Sequence, residues 1–292
     1  MATRDGTAHN LGFVLIALAA LCWSTSGLFV RFIEADALTM LFWRGLFAGT
    51  AVFAYFFAAH RDRSLAVLRT LRWPALGVAV ASATSMVCGI SSLRYTTVAE
   101  ALIIYATVPF VTAALARLVI GERAPASTLA AAGIALGGVG LALAGSDLAG
   151  NLTGNLLACV MAGGMAVMTV IMRRYPEVPM VPALGLSAWL SSGYCAVFAA
   201  TLSISASDFV AAALFGVIQS AGGLVLYAIG SHRVPAAQAT LIASLESPLA
   251  PFWVWLVFAE TPSALTLAGG GIVLAAVFGH MIWEMRKIRA LR

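Results

Sequence analysis

The stretch LVIGERAPASTLAAAGIALGGV, residues 118–139, returns 138 residues later as LVFAETPSALTLAGGGIVLAAV, residues 256–277. Eleven of the twenty-two positions are identical, among them Glu122 and Glu260. A repeat this clear indicates a chain built from one structural unit used twice. If each unit holds an odd number of membrane-spanning helices, the two copies must insert in opposite orientations.

The composition is typical of a membrane protein. Hydrophobic residues make up 61% of the chain and charged residues 10%, and the mean hydropathy is +0.96. A soluble domain usually carries about a quarter charged residues. This chain instead has repeated apolar runs of about 20 residues, the length that a helix needs to cross a bilayer. We therefore predict an all-α polytopic membrane protein whose surroundings are the lipid bilayer.

Cysteine, histidine and charge placement exclude several other classes. The four cysteines lie in apolar runs with no CxxC spacing, and the four histidines are scattered with no HExxH motif. We therefore expect no disulfide, no metal, no cofactor and no enzyme activity. The net charge is +5, but the basic residues lie mostly in short loops, so we expect no nucleic-acid partner.

Charges, prolines and polar clusters divide the chain into ten predicted transmembrane helices, numbered 1 to 10. Their predicted ranges are 11–33, 38–59, 74–93, 98–119, 126–145, 154–173, 183–202, 208–231, 237–259 and 264–285. The first five form a predicted repeat over residues 11–145, and the last five form a second over residues 154–285. Because the connections are short, sequence neighbours are expected to be antiparallel.

The basic residues sort to one side of this arrangement. One side, called the arginine-rich side here, collects fourteen of them, and the other collects only Arg31 and Arg94. Such a bias marks the cytoplasmic face, so both termini are predicted to be cytoplasmic. Five helices per half makes the repeats inverted. That symmetry is typical of carriers, because each half can adopt the conformation of the other and open the opposite side.

Prolines interrupt helices 4 and 9 at matching places. Pro109 lies midway along helix 4, and Pro248 and Pro251 lie within helix 9. A proline inside a helix frees the carbonyl four residues earlier. The carbonyls freed in this way belong to Tyr105, Ser244 and Ser247. Broken helices at matching positions mark the substrate site of inverted-repeat carriers, although a kink that only shapes the bundle gives the same pattern.

Two charged residues lie deep within the apolar runs. Glu246, two residues before Pro248, is predicted near the bilayer midplane, where it carries a proton, pairs with a substrate ammonium, or is a neutral acid bonded to a neighbouring helix. Arg44 lies in helix 2. It is expected to snorkel outward or to pair with Glu100, and contact with a substrate carboxylate is the third alternative.

Other candidate cavity residues lie on helices 1, 6 and 8. Helix 6 carries a methionine stripe on one face, Met161, Met165, Met168 and Met172. Such a stripe is core packing or a wall suited to apolar ligands. Helices 1 and 8 add aromatic and hydrogen-bonding groups, which either bond helix to helix or line the cavity. The candidates on these three helices are Trp23, Ser26, Met165, Gln219 and Tyr227.

Helices 5 and 10 are rich in small residues. Gly133, Gly137 and Gly138 lie in helix 5, and a run of three glycines begins at Gly269 in helix 10. Small residues one turn apart let membrane helices approach closely. These helices are predicted to be scaffold or the contact of a homo-oligomer.

The chain resembles the EamA branch of the drug/metabolite transporter superfamily. The resemblance rests on two five-helix halves, on Trp23 followed by Arg31 in helix 1, and on Glu122 and Glu260 before the small-rich helices. Within the superfamily it is most similar to aromatic amino acid exporters of the YddG type. The resemblance implies a central cavity formed mainly by helices 1, 3, 4, 6, 8 and 9, and gives Glu122 and Glu260 structural roles.

These observations and the resemblance together lead to one expected function. We expect a multi-pass transporter of the bacterial inner membrane that exports small, mainly neutral and aromatic amino acids by alternating access. The alternative is a multidrug exporter of lipophilic cations, in which Glu246 meets the cation. A channel is disfavoured because rings of like charge and a filter motif are missing from the sequence.

Overall fold

The structure is a computed structural model that describes residues 2–69, 71–92, 95–96, 98–144, 152–258 and 263–290. Within these ranges every regular element is helical. The predicted boundary between the two repeats, residues 145–154, falls largely outside the described ranges.

Ten helical units follow one another along the described chain; three of them are interrupted, and a fourth, helix 8, is continuous but changes its helix type. Helix 1 comprises Ala2–Ser24 and Ser26–Phe32, helix 2 Ala37–His60, helix 3 Trp73–Ser92, helix 4 Val98–Ala106 and Val108–Ile120, and helix 5 Ala126–Ala142. Helix 6 is Leu152–Arg174, helix 7 Val181–Phe198, helix 8 Ala206–Leu214, Phe215–Gly222 and Gly223–Ser231, helix 9 Ala236–Ala243 and Glu246–Phe258, and helix 10 Ala264–Ala290. The middle segment of helix 8 is a π-helix.

The described helices have the length and composition of membrane spans. Seven are long and apolar enough to cross a bilayer, and the shorter apolar helices Trp73–Gly89, Val108–Ile120 and Ala126–Ala142 bring the number to ten. Large apolar side chains remain exposed on the outside of the bundle, as a lipid-facing surface requires. The most exposed are Leu118 at 82%, Val197 at 76% and Leu152 at 72%. The predicted all-α polytopic membrane fold is confirmed.

Helix ends differ from the predicted ones where a helix continues past the hydrocarbon region. Helix 1 begins at Ala2 rather than residue 11, and helix 10 extends to Ala290. Hydropathy marks the part of a helix that crosses lipid, whereas backbone hydrogen bonds continue into water. The connection between helices 2 and 3 also contains a short helix, Ser64–Arg69, which hydropathy did not indicate.

Local sequence signals set several of these ends. The Asp36 side chain accepts hydrogen bonds from the amides of Leu38 and Thr39 and so caps helix 2. The Ser205 hydroxyl accepts from the Asp208 amide at the start of helix 8. Gly121 ends helix 4 with a φ of 70°, a conformation that glycine adopts without strain.

Helix packing is unchanged when the two halves are exchanged. Helix 2 packs on helix 7 and helix 5 on helix 10, so each pairs with its own counterpart in the other repeat. Helix 3 packs on helix 6 just as helix 8 packs on helix 1, and helix 4 packs on helix 6 just as helix 9 packs on helix 1. This exchange shows a two-fold relation between the repeats, and because each repeat has five spans, an odd number, the two are inverted with respect to each other.

The small residues of helices 5 and 10 are used within the chain. Gly138 and Gly269 face each other so closely that a Cβ on either would collide with the other's carbonyl oxygen. Gly137 and Gly271 lie beside open space. The contact holds the two halves together, and the homo-oligomer predicted at the same helices stays a prediction.

Candidate functional site

Three helices are interrupted, and a hydroxyl side chain lies at each interruption. Helix 1 breaks at Thr25, helix 4 at Thr107, and helix 9 at Ser244 and Leu245. At each break the hydroxyl donates to the carbonyl three residues earlier: Thr25 to Cys22 at 2.7 Å, Thr107 to Ile104 at 2.7 Å, and Ser244 to Leu241 at 2.6 Å. Each of these carbonyls also accepts the backbone amide of the same hydroxyl residue, so the hydroxyl adds a second donor to a carbonyl that lipid cannot solvate.

The prolines lie just after the breaks. Pro109 is in the first turn of Val108–Ile120, and Pro248 is in the first turn of Glu246–Phe258. A proline is tolerated there because the first amides of a helix have no intrahelical partner. Pro251 is in the same segment as Pro248, and its side chain lies outside the described part. The prolines therefore start new helical segments rather than kinking continuous helices.

A cavity of about 370 Å³ lies where these interrupted helices meet. Helices 1, 3, 4, 6, 8 and 9 form its walls, and helix 2 contributes one side chain. The lining residues are Trp23, Ser26, Arg44, Ser82, Ser85, Met86, Gly89, Ala101, Tyr105, Met161, Met165, Met168, Gln219, Ser220, Leu224 and Glu246. Most of the exposed lining is apolar, as in sites for small organic molecules.

A second cavity of about 320 Å³ adjoins the first. Both are lined by Trp23, Ser26, Gln219 and Glu246, and the second extends toward helices 5 and 10 along Ser247 and Pro248. The four shared residues therefore stand at the junction of the two spaces.

Most of the residues predicted for the site line one of these cavities, and a few do not. Those that line a cavity are Trp23, Ser26, Tyr105, Met165, Gln219, Glu246, Ser247 and Pro248. Ser244 and Pro109 lie away from both. The Ser244 hydroxyl is engaged by its own helix, and Pro109 is buried against neighbouring helices.

Tyr227 is fully buried beside the cavity rather than exposed in it. Its ring centroid is 5.2 Å from that of Trp23, and its hydroxyl is 2.8 Å from that of Thr169 on helix 6. It supports Trp23 from behind and ties helix 8 to helix 6. The alternative that Tyr227 bonds helix to helix describes the structure.

The π-helical segment of helix 8 presents polar groups to the cavity. The Gln219 side-chain amide donates to the Trp23 carbonyl at 3.5 Å, just before the break in helix 1, and its carbonyl oxygen accepts from the Ser220 hydroxyl at 2.7 Å. The widened turn of a π-segment is common at functional sites because it re-aims side chains. Here it turns both residues toward Trp23.

Glu246 is the acidic residue of the cavity. It is the first residue of the segment Glu246–Phe258. Its carboxyl group therefore lies at a helix N-terminus, where the helix dipole favours negative charge. The Tyr105 hydroxyl of helix 4 is positioned to donate a hydrogen bond to it. The matching breaks in helices 4 and 9 thus bring these two side chains together.

Arg44 does not snorkel outward. It is 7% exposed, lines the cavity, and its guanidinium carbon lies 4.9 Å from the centroid of the Phe215 ring. Glu100, its predicted partner, has a side chain outside the described part. Phe215 of helix 8 packs against the guanidinium, and the Arg44 side chain lines the cavity.

Helix 3 forms a wall of the cavity, as the resemblance implied, but none of the residues on it was named from the sequence. Ser82, Ser85, Met86 and Gly89 follow the spacing of one helical face. The Ser85 hydroxyl donates to the Met161 carbonyl at 2.7 Å and fixes helix 3 against helix 6. The signal that would have found this wall is small and polar residues at i, i+3, i+4 and i+7.

The arginine-rich end of the bundle is closed by a polar cluster, called the latch here: Glu122, Arg173 and the backbone of His232 and Ala236. The Arg173 side chain lies 3.0 Å from the Glu122 carboxylate and donates to the His232 carbonyl at 2.9 Å. The other Glu122 oxygen accepts from the Ala236 amide at 2.8 Å. The latch ties helices 4 and 6 to the start of helix 9. Glu260, the counterpart of Glu122, lies outside the described residues.

A ten-helix fold with exchangeable halves and a mostly apolar central cavity defines a helical membrane transporter. The EamA-like transporter family model matches residues 10–144 and 152–282, so the chain belongs to this family, part of the drug/metabolite transporter superfamily. The chain is 26% identical over 274 residues to an uncharacterized transporter of Archaeoglobus fulgidus. The aligned region covers 91% of this chain and 94% of the relative. A protein of known crystal structure shares the fold, with a TM-score of 0.81 and 20% identity over 95% of this chain and 98% of its own.

Proposed function

We propose that the protein exports small, mainly neutral and aromatic amino acids by alternating access. The observation that carries this proposal is the central cavity, in which Glu246 and its neighbour Tyr105 face an apolar wall. Trp23 and the methionines Met161 and Met165 form that wall. An acidic group beside flexible apolar side chains suits an ammonium attached to a variable apolar substituent.

Size and charge support the same substrate class. A volume of about 370 Å³ lies at the lower end of the range for small-molecule sites. Among the lining residues Arg44 is the basic one, whereas a diphosphate group calls for several basic side chains or helix N-termini. A nucleotide sugar is therefore a poor fit.

The closed latch and the cavity lie at different depths of the bundle. The latch joins helix ends on the arginine-rich side, and the cavity residues lie toward the middle and the other side. The arginine bias supports assigning the latch to the cytoplasm. We therefore place both termini in the cytoplasm, the protein in a bacterial inner membrane, and this conformation as the one closed toward the cytoplasm.

Export of lipophilic cations is the second candidate. Glu246, Trp23 and Tyr105 in one cavity are the groups that such cations use. Arg44 on the same cavity works against it, because a guanidinium repels a second cation. The amino acid assignment accommodates both charges.

Purified protein in lipid vesicles tests the proposal. Uptake of labelled phenylalanine that saturates and is competed by other neutral amino acids supports it. Quaternary ammonium transport that is indifferent to amino acids supports the second candidate instead. Vesicles containing the Glu34→Gln variant, altered at an exposed acid far from the cavity, provide the matched control.

A further inference from the structure

Arg44 is held rigidly at the wall of the central cavity. It lies within helix 2, is 7% exposed, and its guanidinium stacks over the Phe215 ring. A Cβ on Gly216 would lie 2.6 Å from the Arg44 carbonyl, so the glycine lets the π-segment of helix 8 pack directly on helix 2. The side chain is therefore confined between two helices and pointed at the cavity.

The arginine lacks a counter-ion among the residues that the structure describes. Its Nε atom is buried without a hydrogen-bond partner there. The Phe215 ring provides a cation–π contact, which does not replace the planar acceptor that a guanidinium fork matches. A buried charge in a membrane protein is normally paired, and the described part of the wall leaves this guanidinium open to an anion bound in the cavity.

Glu246 lines the same cavity and is its acidic residue. It belongs to helix 9, whereas Arg44 belongs to helix 2, and neither forms a salt bridge with the other. The apolar wall of Met161 and Met165 completes the same space. The cavity therefore offers a cation, an anion and an apolar surface to one molecule.

We propose that Arg44 binds the α-carboxylate of the substrate, that Glu246 faces its ammonium, and that the side chain lies against the methionines. This assignment rests on the proposed function and deepens it, because it makes both charges of a zwitterion part of recognition. A carboxylate accepts two parallel hydrogen bonds from a guanidinium. An amine without a carboxylate leaves Arg44 unpaired and is rejected for that reason.

Direct binding to the full-length protein in detergent tests the assignment by calorimetry. Three ligands share one phenyl group: phenylalanine, phenethylamine, which lacks the carboxylate, and hydrocinnamate, which lacks the ammonium. They are compared on wild type, Arg44→Gln and Arg44→Lys. Arg117→Gln, at an exposed arginine of helix 4, is the matched control.

Wild type is expected to bind phenylalanine at least about tenfold more tightly than phenethylamine, the effect of a hydrogen bond to a charged group. Arg44→Gln should weaken phenylalanine and hydrocinnamate by a similar factor and leave phenethylamine unchanged. Arg44→Lys should restore part of the loss, and Arg117→Gln should match wild type.

The proposal is overturned if folded Arg44→Gln keeps the wild-type preference for phenylalanine, or if Arg117→Gln loses it equally. If Arg44→Gln does not fold, the wild-type ligand series decides, because equal affinity for phenylalanine and phenethylamine overturns the assignment. If hydrocinnamate binds through Arg44 but phenylalanine does not bind, Arg44 is an anion-binding residue, and both the assignment to an amino acid and the proposed amino acid export are overturned. If none of the three binds, both proposals are overturned.

Discussion

The Nε atom of Arg173 lies 3.0 Å from Oε2 of Glu122, and this ion pair joins helix 6 to helix 4 at the arginine-rich side. Oε1 of the same carboxylate accepts the Ala236 amide at the start of helix 9. Under the alternating access proposed above, opening this side of the bundle would require these contacts to break. They therefore contribute to the free-energy difference between the closed and open conformations.

Removing the charge of Glu122 is expected to favour opening at the arginine-rich side. Glu122→Gln replaces a charge-assisted contact by a neutral one, which should raise the open population by about tenfold. The measurement is the labelling rate of Met168→Cys, at the cavity wall, by an impermeant maleimide added from that side in a background without native cysteines. Arg174→Gln is the control, because the wild-type Arg174 guanidinium lies over the Tyr175 ring and takes no part in the latch. Equal labelling of both variants would show that the ion pair does not hold the gate.

Neutralising Glu246 is expected to stop or strongly alter transport while the protein stays folded. Glu246→Gln keeps the size of the side chain and its contact with Tyr105 but removes the charge that faces an ammonium. Initial uptake rates over a range of pH, together with the melting temperature in detergent, check both parts. Wild-type flux at every pH would remove Glu246 from the mechanism.

The hydroxyl at the break in helix 4 is expected to contribute to stability. Thr107→Val keeps the shape of the side chain but removes the 2.7 Å hydroxyl bond to the Ile104 carbonyl, which still accepts the Thr107 amide at 3.0 Å, so the expected cost is about 0.5–1.5 kcal/mol. Thr107→Ser retains the donor and should remain close to wild type. Thermal unfolding in detergent compares the two. If valine and serine behave alike, the bond does not stabilise the break.

The glycine contact between helices 5 and 10 is expected to tolerate no side chain. Gly269→Ala would drive a Cβ into the Gly138 carbonyl and lower the melting temperature, because two backbones must separate. Gly271→Ala, two residues further along the same helix, points into open space and should be neutral or slightly stabilising. If Gly269→Ala and Gly271→Ala had the same melting temperature, helices 5 and 10 would be able to move apart at this contact without cost.

Acid is expected to destabilise the closed latch through His232, which lies in the connection between helices 8 and 9. Burial, the largest cause, lowers the pKa of His232, and the Arg233 and Arg173 charges act in the same direction. A backbone hydrogen bond with Met172 and the charge of Glu177 oppose them.

Because the pKa of His232 in the folded protein lies below the ordinary value of 6.5, the unfolded chain binds the proton more readily. The stability that the neutral imidazole contributes is fully present above pH 6.5, the ordinary pKa. It is lost as the pH falls from there through the lower pKa of the folded protein. The melting temperature should therefore drop between about pH 7 and about pH 5, and drop less in His232→Gln. Identical profiles for the two proteins would contradict the assignment.

The ten helices and their division into two inverted repeats were predictable from sequence because lipid imposes simple rules. Apolar length sets the number of spans, and the internal repeat around Glu122 and Glu260 sets their relation. Cavity residues such as Trp23 and Glu246 could also be predicted, because polar or aromatic groups are conspicuous within an apolar transmembrane segment.

The remaining features depend on contacts that hydropathy does not record. The break lies at Thr107, two residues before Pro109, and the Thr107 hydroxyl donates there to a carbonyl of the same helix. The direction of Arg44 is set by Phe215 on a helix distant in sequence. The latch joins Glu122 to Arg173, which are 51 residues apart in sequence. Their contact depends on how helices 4 and 6 pack, which the sequence pattern does not indicate.

The pairing of helix 5 with helix 10, and of helix 2 with helix 7, has a geometrical consequence for turnover. If the two repeats trade shapes during a cycle, each of these interfaces is carried onto itself, while the contact of helices 3 and 6 is carried onto that of helices 8 and 1. The contact of Gly138 with Gly269 can therefore keep its packing throughout such a cycle, and the movement would fall on contacts such as those of helices 3 and 6, whose geometry the exchange alters.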